Sequence, residues 1–370
     1  VSFNTSMAET ERDIDLVLVT GAGASCSFGV NNTRLPLMGD WSNDLVQRLS
    51  EKGIGYLQAT GLTREMEAQG FEEQLGRFLR SVQAFARIKP LLDPITQFGG
   101  SLTPFLPSDQ WEGWHQNASF HLAQIVGAVH ESLYGLFGSP AIDPGAAHQA
   151  YGALFAALGV GPSSRFVYAT TNYDTIGEDT IAALGAIPDV GDVQTSPFNP
   201  EREIRAERLL EGMPRYVPVL HLHGRVGWLR RQDGGAYSNP AAKSYDAGYG
   251  VPIVMLPDLE KDYATDPIIS TLWDQFAESL SRARRVFVLG HSFHDDALIR
   301  ALVDNVTPQS RLAVTVLGSP DTPGEPATDE AVSVRDRVLE RLPGAAIIPM
   351  QFGTTPDLIP SDIRDWAEDS

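Results

Sequence analysis

Seven short apolar runs punctuate the chain: DLVLVT at 15–20, RFVYATT at 165–171, VPVLHL at 217–222, VPIVML at 251–256, RVFVLG at 285–290, RLAVTVL at 311–317 and AAIIPM at 345–350. They are nearly continuous in hydrophobicity, not alternating. That is the pattern of strands covered on both faces, as in a parallel sheet. Between most of them the apolar positions recur at helical spacing, over 175–184, 199–211, 267–283, 296–305 and 329–342. Strand–helix alternation predicts an α/β fold: a Rossmann-like, doubly wound, mostly parallel sheet. The alternation stops between about 60 and 140, where the spacing predicts helices alone, at 63–83, 85–93 and 117–137. This reads as an inserted helical module (60–140) within a Rossmann-like domain built from 1–60 and 140–370. The polar, Gly-rich stretches 232–250 and 318–330 read as loops.

Charge and composition narrow the function. With 28 Lys+Arg against 47 Asp+Glu the net charge is −19, which argues against a nucleic-acid surface. A hydrophobic fraction of 42% supports a sizeable core and excludes wholesale disorder. The single cysteine, Cys26, excludes a disulfide framework and any zinc site built on paired CxxC motifs. The first residues are polar and acidic, and no apolar window is long enough to span a bilayer. The expectation is a cytoplasmic protein with no membrane contact and no metal.

Four strand ends carry the candidate chemistry. Gly21, Ala22, Gly23 and Ser25 follow the first strand directly, in GAGAS. Glycines there let the backbone turn tightly and approach a pyrophosphate, with the next helix supplying N–H donors. A tight turn with no ligand is the plainer alternative. A dehydrogenase fingerprint wants a third glycine where Cys26 stands and a long helix where Gly29 and Pro36 intervene. Asp40 reads as the N-cap of a helix from Trp41, so hydride transfer is disfavoured. Thr171, Asn172 and Asp174 close the second run, where open α/β sheets bind ligands. Asp174 equally suits a cap for 175–184. In LHLHG, alternation places His221 and His223 on one face. The Asp and further His of a metallohydrolase are missing, so an acid/base role for His223 is the better reading, with Gly224 allowing close ligand approach. GHSFHD, 290–295, has His294 where a nucleophile elbow wants glycine, and no histidine follows to complete a triad with Ser292. Gly290, Ser292, Phe293 and Asp295 fit the ribose and phosphates of a nucleotide better.

GAGAS, TTNYD, LHG and GHSFHD in this order resemble the sirtuin-like domain family, in particular its bacterial branch that hydrolyses NAD in anti-phage defence. The segment PDLEKDYATDPIISTLW at 257–273 also looks like that branch, and FEEQL at 71–75 matches within the helical module. The resemblance covers 15–305, apart from most of that module. It implies NAD as substrate, with the nicotinamide–ribose bond broken to give nicotinamide and ADP-ribose or a cyclised form. It carries the family's glycine loop onto Gly21, Gly23 and Ser25, its Asn/Asp segment onto Asn172 and Asp174, its catalytic histidine onto His223, and its Gly-x-Ser turn onto Gly290 and Ser292. On this reading Asn172 holds the attacking water or the ribose, and His223 accepts a proton. The four-cysteine zinc ribbon of deacylase sirtuins is incompatible with one cysteine, and their Asp-Phe-Arg reads Leu37-Met38-Gly39 here. Competing readings are an NAD or ADP-ribose sensor without turnover, and a protein deacylase or ADP-ribosyltransferase. The resemblance further implies an effector of abortive infection, held off until it assembles as a homo-oligomer or meets an activating protein such as a ring ATPase or a nucleic-acid-guided protein.

Overall fold

The longest apolar runs lie side by side in one sheet. The computed structural model describes residues 13–35, 41–48, 127–194, 202–238, 251–255, 266–319, 322–353 and 361–368, apart from 33, 42–43, 130, 139–140, 162, 232–233 and 323. Its main sheet contains β1 (Ile14–Thr20), β2 (Phe166–Thr170), β3 (Pro188–Asp189), β6 (Val217–His221), β10 (Ala283–Leu289), β11 (Arg311–Leu317) and β12 (Ala346–Met350). Their order is β12-β11-β10-β1-β2-β6-β3, and every pairing is parallel. Leaving out the two-residue edge strand β3, this is the doubly wound nucleotide-binding order, whose direction reverses between β1 and β10.

The central strands are hydrophobic on both sides because both sides are covered. Leu16, Val17, Leu18 and Val19 of β1 and Val286, Phe287 and Val288 of β10 are all fully buried. The packing helices are α2 (Pro144–Ala157), α3 (Ile176–Ala183), α4 (Pro267–Arg282), α5 (Asp296–Asn305), α6 (Asp329–Arg341) and α7 (Ser361–Glu368), preceded by a single turn, α1 (Ala22–Ser25). Several start on strong local signals. Asp143 accepts from the Gly145 and Ala146 N–H groups ahead of α2, with Pro144 at the first helical position. Asp266 does the same for Ile268 and Ile269 ahead of α4, followed by Pro267. The helical pattern expected over 117–137 is helical at 127–129 and 131–137. Residues 60–126 of the module, with FEEQL, as well as Asp40 and residues 257–265 of the PDLEKDYATDPIISTLW segment, lie outside the described residues.

A second sheet departs from the expected pattern. β4 (Asp192–Gln194), β5 (Arg202–Ile204), β7 (Gly224–Arg230), β8 (Ala236–Ser238) and β9 (Val251–Val254) form an antiparallel sheet in the order β4-β5-β8-β7-β9. The 251–256 run therefore joins this sheet as an edge strand, not the parallel one. Pro252 explains the edge position, since it has no N–H for a second neighbour. The helix expected over 199–211 is instead β5 and a 3₁₀ turn, Leu209–Gly212. Pairing of β5 with β4 and β8 overrides its local spacing. The expected loop at 232–250 contains β8.

Gly224 joins the two sheets. It has φ +82°, a left-handed value, and an added Cβ would lie 2.9 Å from both Ile253 C and Val254 Cα. Its lack of a side chain thus serves the β7–β9 contact, whereas ligand approach was the expectation. Gly224→Ala combines an unfavourable φ with a backbone clash. It is expected to lower stability by more than about 1 kcal/mol, read as a fall in thermal midpoint. An unchanged midpoint would show that β9 is not held through this residue.

Candidate active site

The register brings the four motifs into one row. Thr20 pairs with Leu289 on one side and with Thr170 on the other, and Thr170 pairs with His221. GAGAS, TNYD, LHG and GHSFHD therefore leave four adjacent strands at the same level, on the carboxyl edge where the strand order reverses. Open α/β sheets bind their ligands at such a switch point.

The first and fourth motifs are packed backbone to backbone. The Gly21 N–H donates to Leu289 O (2.9 Å) and the Gly23 N–H to Gly290 O (2.9 Å). A Cβ on Gly21 would lie 2.8 Å from Gly290 O, and one on Gly23 would lie 2.9 Å from the same atom. Gly290 itself has φ +65°. These glycines are needed first for the contact between two loops. Ala22 and Gly23 are exposed beside it. The helix after the loop is one turn long, Ala22–Ser25, with Cys26 as its C-cap, in keeping with the interruptions at Gly29 and Pro36.

Asn172, Ser25 and Asp174 form a buried polar chain. Asn172 Nδ2 donates to Gly21 O (3.0 Å) and to Ser25 Oγ (2.8 Å). The Asp174 carboxylate stands near Ser25, and its Oδ1 accepts the Ile176 N–H at 3.0 Å. Burial pushes the Asp174 pKa up, against the opposing effects of Ser25 and the Ile176 N–H. Both amide protons of Asn172 are thus engaged within the protein, which leaves Oδ1 as the atom that can meet a ligand, as an acceptor. Ser25 and Asp174, expected as ligand contacts, accept from Asn172 and from the Ile176 N–H respectively. Thr171 is half-buried and donates its N–H to Thr20 O at 3.0 Å. Asn172→Ala is expected to weaken ligand binding as well as any turnover, because it unties the glycine loop. Calorimetry with NAD beside a turnover assay checks this; a variant with wild-type affinity would show that the amide is not a structural tie.

The two histidines part company. β6 ends at His221, so the strand alternation that would align them stops there. Nε2 of His221 lies 2.7 Å from Glu178 Oε1, and its ring packs edge-on to Trp228. Glu178 also takes two bonds from Arg225, at 2.7 and 2.8 Å, and all three side chains are buried. Burial alone would raise the Glu178 pKa, but the Arg225 charge and the His221 bond bring it down to about 2. Nε2 of His223 faces Asp295 Oδ2 at 2.9 Å. Asp295, expected on the nucleotide, pairs with the candidate base, while its Oδ1 caps α5 through the Ala297 N–H (3.0 Å). The LHG turn is held from two further sides: Trp273 Nε1 donates to Leu222 O (3.0 Å) and the Met255 N–H to His223 O (2.6 Å).

Ser292 is exposed, and Phe293 is buried with φ +55°. No group of three or more His, Cys, Asp or Glu side chains suited to a metal occurs among the described residues, and no helix among them is long and apolar enough to cross a membrane. Glu178, Arg225 and Arg337 lie near the four motifs without belonging to any; the Glu178 contacts span 43 and 47 residues, beyond the reach of a local motif.

No protein-family model matches the chain, and no curated protein does. Solved structures do. The chain is similar to a Sir2 homologue in complex with NAD, at 14% identity over 95% of this chain and 88% of that one, with a TM-score of 0.37. It is similar to Sir2Tm bound to a propionylated peptide, at 12% identity over 88% and 92%, with a TM-score of 0.33. It is also similar to a mutant Sir2 homologue in complex with ADP-ribose, at 14% identity over 88% and 91%, with a TM-score of 0.34.

Proposed function

We propose that the chain binds NAD at the carboxyl edge of the main sheet and hydrolyses its nicotinamide–ribose bond. The observation that carries this reading is the pairing of His223 with Asp295 at a switch point where four Gly-, Asn- and His-bearing strand ends stand in one row. A histidine whose Nε2–H donates to a carboxylate has Nδ1 as its basic nitrogen, and the carboxylate stabilises the imidazolium that proton uptake creates.

The chemistry needs little more than position and one base. The C–N bond breaks with its electron pair passing to the nicotinamide ring, which leaves neutral. Water adds to the sugar carbon, and its proton passes to His223 Nδ1 and on to solvent. A cyclised product arises if an adenine nitrogen attacks in place of water. Asn172 Oδ1 orients a ribose hydroxyl or the water by accepting its proton in a hydrogen bond. The exposed Ala22–Gly23 backbone and the 290–295 turn flank the phosphates. Holding the reactants in place accounts for up to roughly 7–11 kcal/mol of barrier in well-oriented systems.

The motif resemblance supports a role as an abortive-infection effector in anti-phage defence, with activity gated by self-assembly or by a separate activating protein. The deciding experiment incubates purified protein with NAD and separates the products by chromatography. Nicotinamide release supports hydrolysis. Tight NAD binding without release, with and without assembly, replaces this reading with an NAD sensor.

A further inference from the structure

The GHSFHD turn contains a strained residue whose restraints come from outside the atoms that the proposed reaction uses. Phe293 has φ +55°, a conformation uncommon for a bulky side chain. Such a residue persists only where its surroundings over-determine it. Here three restraints are visible. The residue is 1% exposed. The Phe293 N–H donates to Nδ1 of His291 at 2.8 Å, and the two rings meet edge to face with centroids 5.0 Å apart. From α6, Arg337 Nη1 donates to Ser292 O (2.9 Å) and to Phe293 O (3.3 Å). Two residues later the chain presents Asp295, which holds His223.

We infer that His291 and Arg337 are positioning residues: together they fix the Phe293 turn so that Asp295 reaches His223. This deepens the proposed hydrolysis and rests on it only for the activity readout. The bond at His291 is specific in its chemistry. Nδ1 must carry a lone pair to accept the N–H, so His291 is neutral with its proton on Nε2. The ring also lies against the glycine loop, since a Cβ on Gly21 would come 2.9 Å from His291 Cδ2. The Phe293 turn and GAGAS are therefore braced by the same side chain.

Asparagine offers a matched control. Its Oδ1 is attached to Cγ as the histidine Nδ1 is, and it accepts the N–H two residues on in an Asx turn. His291→Asn therefore keeps the restraint that His291→Ala removes. The readout is the imidazole ¹H–¹⁵N correlation spectrum, which reports the tautomer and carboxylate contact of His223 directly, with Asp295→Ala as the reference for a broken pair. His291→Ala is expected to move the His223 signals toward the Asp295→Ala positions, and His291→Asn to leave them at wild-type positions. Nicotinamide release is expected to fall tenfold or more (about a factor of ten per 1.4 kcal/mol) in His291→Ala, and further than in His291→Asn. Arg337→Ala against Arg337→Lys gives the same comparison from the other restraint and decides the matter if His291→Ala does not fold. His223 signals that stay put in both alanine variants, or that move equally in His291→Ala and His291→Asn, overturn the inference. A wild type that releases no nicotinamide removes the hydrolysis reading and leaves the spectra to decide this one.

Discussion

His223→Ala is expected to cut nicotinamide release from NAD by about 10²–10⁴-fold, the usual worth of a positioned acid/base group. NAD affinity should change far less, because the loops that flank the ligand are held by other contacts: Gly21 and Gly23 on the β10 end, and Asn172 on Gly21 and Ser25. Asp295→Asn separates the base from its partner. The asparagine Oδ1 still caps α5 by accepting the Ala297 N–H, as Asp295 does. Its amide group presents donors to Nε2 and so favours the opposite tautomer, with the proton on Nδ1. Activity should fall with little loss of stability, as expected when a base is held in the wrong tautomer. Turnover in His223→Ala equal to wild type, with product confirmed as nicotinamide, would remove His223 from the chemistry and with it the main support for hydrolysis.

The main sheet was readable because the cause of its pattern is local. β1, β10 and β11 are buried on both faces, and DLVLVT, RVFVLG and RLAVTVL say so without reference to any partner. The second sheet was not readable for the same physical reason run backwards. β5 and β8 are three residues each, too short for a period, and exist through their pairing with one another. Pro252 was the one local sign that the 251–256 run lies at an edge. At the site, the strand ends were located correctly by motif, but the work of several residues is internal. Gly21, Gly23, Gly224 and Gly290 all allow backbone to approach backbone. Ser25 accepts from Asn172, Asp174 accepts from the Ile176 N–H, and Asp295 pairs with His223. Residue type announces a strand-end cluster; only the fold says which members face one another.

Arg225→Met is expected to cost about 3–5 kcal/mol of stability, the second large effect, because it leaves Glu178 buried without its main counter-charge. Arg225 and Glu178 link β7 of the second sheet to α3 beside the main one, so the loss should appear as a lower urea midpoint for the whole chain. Glu178→Gln combined with Arg225→Met should recover much of it, since neither charge then needs compensation. The pH dependence has a definite sign. The folded Glu178 pKa, about 2, lies below the ordinary 4.5. Between these values the unfolded state binds more protons, so this contribution is complete above about pH 4.5 and is lost as the pH falls through 2. Urea unfolding at pH 7 and at pH 3.5 should show a fall in wild type that is smaller in Glu178→Gln. Equal falls in both proteins, or an Arg225→Met cost below about 1 kcal/mol, would mean that the pair is hydrated in solution. His221 would then lack the fixed partner that turns it away from His223, and the separation of the two histidines would need another cause.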